Sequence, residues 1–205
     1  MDSPIVIPIV GFVYLLGFGA LSYLRRQGLS ARFAIEGLGI TAVGLALRLA
    51  GVPIHPVAFL GVLYCVTMRV RLLIDIGNWF SARGQLGRAL ALYSLALQIK
   101  PDAAGRQIAL INRAVAELRN QEPESAYVTL REALADEDGS IGAKHLAATY
   151  YNLGLACRRS GREAEAVRRF NEAINAWPNS IYGHAAEQEL KKGAEQSRAT
   201  PEESP

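Results

Sequence analysis

The second half of the chain repeats one spacing of small, aromatic and turn-forming residues, which requires a repeated supersecondary unit. One copy consists of Gly77, Phe80, Gly84, Ala89, Tyr93, Ala96 and Pro101. Identical offsets give a second copy, Gly154, Cys157, Gly161, Ala166, Phe170, Ala173 and Pro178. A weaker copy lies between them and consists of Ala114, Glu117, Gln121, Ala126, Leu130, Ala133 and Asp138. Units of this kind bury their apolar faces only against neighbouring copies, so the three copies are expected to stack.

Each copy has the features of two antiparallel helices joined by a short turn. Gly84 and Gly161 stand where a first helix ends and a left-handed backbone conformation is needed. Pro101 and Pro178 stand where a second helix stops, because proline cannot continue a helix. The alanines of each copy are small enough for the two helices to touch. The repeats are therefore predicted to be helical hairpins.

With this pattern the chain resembles the tetratricopeptide repeat family, whose pairs combine an L-G-x2-Y helix with an A-x3-F helix that ends near a proline. The resemblance covers residues 70–180. It implies an all-α fold in which a right-handed α-solenoid of three helix pairs is closed by a capping helix. The implied units are repeats over residues 70–103, 107–140 and 147–180, a cap over 181–198 and a disordered tail over 199–205.

The first third of the chain is apolar. Residues 1–68 hold four of the 22 Lys and Arg residues and two of the 19 Asp and Glu residues. Residues 4–24 contain no charged side chain, and as a helix they would be about 31 Å long, the thickness of a hydrocarbon core. This run is longer than the apolar part of a signal peptide, so a retained transmembrane helix is expected.

Two further apolar runs, at residues 33–50 and 54–69, complete a predicted membrane domain over residues 1–69. Three crossings are expected, and a re-entrant hairpin over residues 33–68 is the alternative. No helix breaker lies between Met68 and Gly77, which predicts that the third of these helices continues into the first repeat.

The arginines around these runs indicate an orientation. Arg25, Arg26 and Arg32 lie between the first two runs, and Arg69 and Arg71 follow the third. The positive-inside rule then places the N-terminus outside and the repeat domain in the cytoplasm. The chain has 18 arginines and four lysines, a bias that favours a bacterial source and so the bacterial cytoplasmic membrane.

The sequence contains none of the residue motifs that are typical of catalytic or metal-binding sites. His55, His145 and His184 are far apart, and no metal-ligand spacing, phosphate-binding loop or serine elbow is present. Two cysteines do not make a disulfide framework. A net charge of +3 is too small to indicate nucleic-acid binding. The expected protein is not an enzyme and has no catalytic residue, metal site or cofactor.

The family resemblance implies that the first helices of the pairs line a groove that holds an extended peptide or a helix of a protein partner. Amide side chains in such a groove can bond a peptide backbone, and its arginines would favour an acidic partner. The alternative is that the asparagines only cap helices or face water. The candidate groove residues are Asn78, Asn112, Leu118, Arg119, Tyr151, Asn152, Leu155, Arg158 and Arg159.

These features together predict a membrane-anchored scaffold or assembly factor that contacts both a partner polypeptide and the lipid bilayer. The alternative is an integral accessory subunit of a larger membrane complex, with the repeats as its docking surface.

Overall fold

The computed structural model describes residues 5–24, 31–135 and 142–199. Over these ranges the chain forms ten helices and no strand, which confirms the all-α prediction. Arg25 and Arg26, the predicted end of the second repeat and most of the predicted tail lie outside the described residues. The chain divides into an N-terminal unit, Met1–Leu72, and a C-terminal unit, Leu73–Pro205.

The N-terminal unit contains three apolar helices that pack around a small core. Its core consists of Ile7, Tyr14, Phe59 and Leu63, all buried. The Tyr14 hydroxyl lies 2.7 Å from Oγ1 of Thr67, so a polar contact also joins the first and third helices. The helices are α1 (Val6–Leu24), α2 (Ala31–Leu49) and α3 (Pro56–Thr67).

Glu36 is the centre of an ion-pair cluster in the N-terminal unit. Both oxygens of its carboxylate accept hydrogen bonds from Arg69, at 2.6 and 2.7 Å. Nε of Arg32 donates a third bond at 2.8 Å. The bidentate geometry joins α2 to Arg69 within the N-terminal unit, a pairing between residues 33 positions apart that the sequence pattern does not reveal.

The prediction of a continuous helix through residue 68 is wrong. Helix α3 ends at Thr67, and α4 begins at Arg69 after a non-helical Met68. The Thr67 hydroxyl donates to the Leu63 carbonyl and the Arg69 guanidinium donates to the Val66 carbonyl. The Arg69 side chain thereby satisfies one of the carbonyls that the end of α3 leaves without a helical partner.

The three predicted apolar runs, at residues 4–24, 33–50 and 54–69, each correspond to one helix, namely α1, α2 and α3. Among the described helices, none alone has both the length and the apolar character needed to span a bilayer. The helices α3 and α4 reach that length and composition only as a pair that is bent at the break between them.

The C-terminal unit is a series of helices in which neighbours along the chain pack together from α5 onwards, with further contacts between α6 and α8 and between α8 and α10. The helices are α4 (Arg69–Ala82), which begins within the N-terminal unit, α5 (Leu86–Gln98), α6 (Ala103–Arg119), α7 (Pro123–Leu134), α8 (Ala143–Arg159), α9 (Glu163–Ala176) and α10 (Ile181–Ala199).

The small and aromatic positions of the repeat meet across each helix pair. A Cβ atom on Gly77 would lie 2.6 Å from Cε1 of Tyr93, and one on Gly154 would lie 2.5 Å from Cε1 of Phe170. Both rings are fully buried. Leu130 is fully buried at the equivalent position of the middle pair. Gly77 and Gly154 therefore stand where two helices approach too closely for a side chain.

The three turns between paired helices are alike. Gly84 has φ of 76°, Gly161 of 75°, and Gln121 of 63°, all in the left-handed region. In each turn the following residue donates a backbone hydrogen bond to the carbonyl five positions earlier, as in Glu122 to Glu117 at 3.0 Å. This is the Schellman arrangement, which satisfies carbonyls at a helix end. Gln121 adopts it without being glycine.

Candidate partner-binding site

A cavity of about 520 Å³ opens where successive first helices of the repeats end. It is lined by Leu118, Arg119, Gln121, Pro123 and Arg159. Helix α6 supplies Leu118 and Arg119, the following turn supplies Gln121, and α8 supplies Arg159. Three of the predicted groove residues therefore lie at one site.

The two arginines of this cavity are held by equivalent contacts. Nη1 of Arg119 donates to Oγ of Ser81 at 2.8 Å, and Nη1 of Arg159 donates to the Leu118 carbonyl at 2.5 Å. Ser81 and Leu118 occupy the same position in successive repeats, four residues after Gly77 and Ala114. Each arginine thus extends back to the preceding pair, and its position is set by the stacking of the repeats.

These contacts leave most of the donors of both guanidiniums for other groups, because each guanidinium has five N–H bonds. Arg119 and Arg159 are both exposed. No carboxylate among the described residues lies within 4.0 Å of either one. The cavity therefore presents two positive charges that the described chain does not neutralise by ion pairing.

Arg158 is different from its neighbour in sequence. Its guanidinium pairs with Glu163 at 2.7 Å and with Glu189 at 2.8 Å. It also lies over the Phe170 ring, 4.8 Å from the ring centre. Both carboxylates and the ring engage Arg158 within the chain, so the structure gives it a part in holding α10 against α8.

The predicted asparagines make hydrogen bonds within the C-terminal unit. Asn112 and Asn152 each donate from Nδ2 to a backbone carbonyl four residues earlier in their own helix, at 2.8 Å. Asn152 is buried and Asn112 is half-buried. The exposed Asn78 accepts a 2.7 Å hydrogen bond from the Tyr93 hydroxyl. The structure does not bring these three amides together with the arginine cavity.

Tyr151 and Leu155 are half-buried and belong to the packing between the last helices. The Tyr151 ring lies 6.0 Å from the Phe170 ring and 6.0 Å from the Tyr182 ring. Burial raises the pKa of the Tyr151 hydroxyl, and the nearby Glu189 charge raises it further. Leu155 packs against two buried clusters.

Sequence reasoning did not identify Gln121 and Pro123 as parts of the site. Gln121 belongs to the turn after α6 and has the same left-handed geometry as its glycine counterparts, and Pro123 is the first residue of α7.

Comparison with known proteins agrees with this architecture. Residues 106–179 match the family model of the tetratricopeptide repeat. The matched range corresponds to the second and third helix pairs, and it contains all the residues that line the arginine cavity. The fold is therefore a tetratricopeptide-like α-solenoid, and the expected repeat family is supported.

Two curated relatives are photosystem I assembly proteins. The photosystem I assembly protein Ycf3 of Parasynechococcus marenigrum (strain WH8102) is 28% identical over 99 residues, which are 48% of this chain and 57% of the relative. The protein of the same name from Synechococcus sp. (strain CC9605) is 27% identical over the same shares. The chain thus matches little more than half the length of these relatives.

One solved structure has a similar fold. The crystal structure of the Sgt2 TPR domain from Aspergillus fumigatus superposes with a TM-score of 0.55 at 24% identity. The superposition covers 67% of this chain and 86% of that domain. At this level of identity the likeness concerns the fold alone.

Proposed function

We propose that this protein is a non-enzymatic interaction scaffold or assembly factor that binds a partner polypeptide at the arginine cavity. The observation that carries the proposal is the pair Arg119 and Arg159, which border one cavity and have no carboxylate partner among the described residues. The match to the repeat family and the names of the two relatives support an assembly role.

The chemistry of the cavity favours an acidic segment in the partner. A guanidinium binds a carboxylate through two parallel hydrogen bonds, which are shorter and stronger than bonds between neutral groups. The half-buried, apolar Pro123 also lines the cavity with these charges. A partner segment with an acidic side chain next to apolar ones, either as an extended peptide or as a helix, fits this surface.

The test is co-purification of partners on the full-length chain, compared with the double variant Arg119→Gln and Arg159→Gln. We expect the double variant to recover at least tenfold less of the specific partner, since each lost charge-assisted bond contributes about 1.5–3 kcal/mol. The matched control is Arg168→Gln, because Arg168 is highly exposed and does not line the cavity. Equal recovery by the double variant and the wild type would exclude the cavity as the partner site.

We also propose that the N-terminal unit anchors the protein in the cytoplasmic membrane, with the N-terminus outside and the repeats in the cytoplasm. Large apolar side chains remain exposed on all three helices of this unit, including Leu16, Ile35 and Val57. Apolar exposure of this extent is typical of surfaces that contact lipid or another protein. Lipid contact would bury side chains that are otherwise solvated.

Membrane anchoring is tested by extraction of isolated membranes. We expect the chain to remain in the pellet after alkaline carbonate and to be released by detergent. For orientation, we expect residues 100–199 to be protected from protease added to intact spheroplasts and to be digested after lysis. Release by carbonate alone would contradict the anchor, and digestion from outside would contradict the orientation.

A further inference from the structure

We propose that the C-terminal unit has a second binding site, between α5, α6 and α7, that accepts an arginine side chain of a partner polypeptide. A cavity of about 500 Å³ lies there, within the range of roughly 300–1,000 Å³ that is usual for ligand sites. It shares no residue with the arginine cavity. Its lining residues are Leu90, Ser94, Arg113, Glu117, Glu122, Glu124, Ser125, Val128 and Thr129.

Glu117 is the central group of this site. Glu117 is only 3% exposed, and its Oε1 accepts a 2.9 Å hydrogen bond from Nε of Arg113. Its second oxygen, Oε2, is buried and has no hydrogen-bond partner. A buried carboxylate oxygen without a donor costs free energy, and a donor that reached Oε2 from the cavity would remove that cost.

The position of Glu117 in the repeat is unusual. Phe80 and Cys157 occupy the same position, three residues after Gly77 and Gly154, in the other two pairs. A carboxylate there loses the apolar packing that the position otherwise provides. The middle pair has therefore replaced an inward-facing core residue with a charged acceptor that lines a cavity.

The remaining charges favour a cation. Glu122 and Glu124 line the same cavity, so three carboxylates and the single guanidinium of Arg113 leave a formal charge of −2. Glu122 already accepts a hydrogen bond from Asn120. Glu124 is exposed at the edge of this cavity.

The walls of the cavity suit the side chain of arginine. Leu90 and Val128 provide apolar surface, and Val128 is 65% exposed. An arginine can lay its methylene groups on such a surface and present a planar set of N–H donors to the buried carboxylate. Ser94 and Thr129 provide hydroxyl groups for the outer N–H bonds. This site would take a basic segment, whereas the arginine cavity takes an acidic one.

The experiment titrates the purified full-length chain in detergent micelles with the peptide acetyl-Ala-Arg-Ala-amide and measures binding by NMR. The reference peptide contains citrulline, which has the same shape as arginine without the charge. We expect the citrulline peptide to bind at least tenfold more weakly. We expect Glu117→Gln to weaken the arginine peptide by a similar factor, and the control Glu132→Gln, on α7 outside the cavity, to leave it unchanged.

Two further variants keep the result decisive. If Glu117→Gln fails to fold, the double variant Glu122→Gln and Glu124→Gln tests the same cavity, and we expect at least a threefold loss of affinity. The double variant Arg119→Gln and Arg159→Gln should bind the arginine peptide normally, which separates this site from the proposed function. Equal binding of the arginine and citrulline peptides, unchanged affinity in the cavity variants, or tighter binding of the corresponding lysine peptide would overturn the proposal.

Discussion

The left-handed conformation of Gln121 makes a quantitative test of how the repeat pattern controls stability. A residue with a side chain pays about 1–2 kcal/mol in this region, and Gln121 has φ of 63°. Glycine avoids that cost but loses about 0.5–1 kcal/mol through the greater freedom of the unfolded chain. The Gln121 side chain is exposed, so little packing is lost. We therefore expect Gln121→Gly to stabilise the C-terminal unit by about 0.5–1 kcal/mol.

The assay is urea unfolding of the full chain followed by tryptophan fluorescence. Both tryptophans, Trp79 and Trp177, belong to the C-terminal unit, so the signal reports that unit alone. In a thermal unfolding experiment the same gain in free energy corresponds to a rise in Tm of about 2–4 °C for a unit of this size. Gln121→Ala is the matched control, because it shortens the side chain and keeps Cβ in the strained conformation.

The converse substitutions complete the test. At Gly84 and Gly161 an added Cβ would meet no atom within 4 Å, so alanine there introduces backbone strain without a clash. We expect Gly84→Ala and Gly161→Ala each to cost about 1 kcal/mol. If Gln121→Gly is no more stable than Gln121→Ala, the left-handed turn does not limit the stability of the middle pair, and the reasoning is refuted.

Three other outcomes follow from the packing and the charges. Gly154→Ala should destabilise the C-terminal unit by about 1–3 kcal/mol in urea unfolding, because the new Cβ would overlap the buried ring of Phe170; an unchanged midpoint would contradict that. A hydrogen bond from Lys192 lowers the pKa of the Glu189 carboxyl, so the ionised Glu189 stabilises the fold above pH 4.5 and this stabilisation is lost as the pH falls further. Glu189→Gln should therefore reduce the loss of stability at acid pH. An unchanged pH dependence would show that the pair of Glu189 and Lys192 does not contribute to stability. Burial raises the pKa of the Cys157 thiol, so it should resist a thiol reagent at pH 8 until the chain is unfolded, and rapid labelling in the native state would be inconsistent with its burial.

The repeated positions could be predicted from sequence because they arise from local steric requirements. Gly77 and Gly154 each allow one ring to approach, and Gly84 ends a helix; each requirement concerns a single helix pair. The middle pair could be predicted from the same spacing even though its turn residue is Gln121. The repeat period and the sizes of the repeated residues were enough to predict the helix pairs.

The interactions between pairs could not be predicted in the same way. The contact of Arg159 with the Leu118 carbonyl depends on how one pair is placed on the next. The pairing of Glu36 with Arg69 depends likewise on the arrangement of separate helices. Sequence reasoning assigned Arg158 and Arg159 the same role, and the structure separates them because only Arg158 lies within reach of Glu163 and Glu189. The side chains of adjacent residues on a helix point in different directions, and the groups that each one meets depend on the tertiary structure.

The attachment of Arg119 to Ser81 and of Arg159 to Leu118 couples recognition to mechanics. The side chains that offer their remaining donors to a ligand are the same ones that fasten each hairpin to its predecessor. A ligand that rotates either guanidinium would break its contact with the preceding pair. Binding at the cavity is therefore expected to compete with one of the contacts between successive repeats.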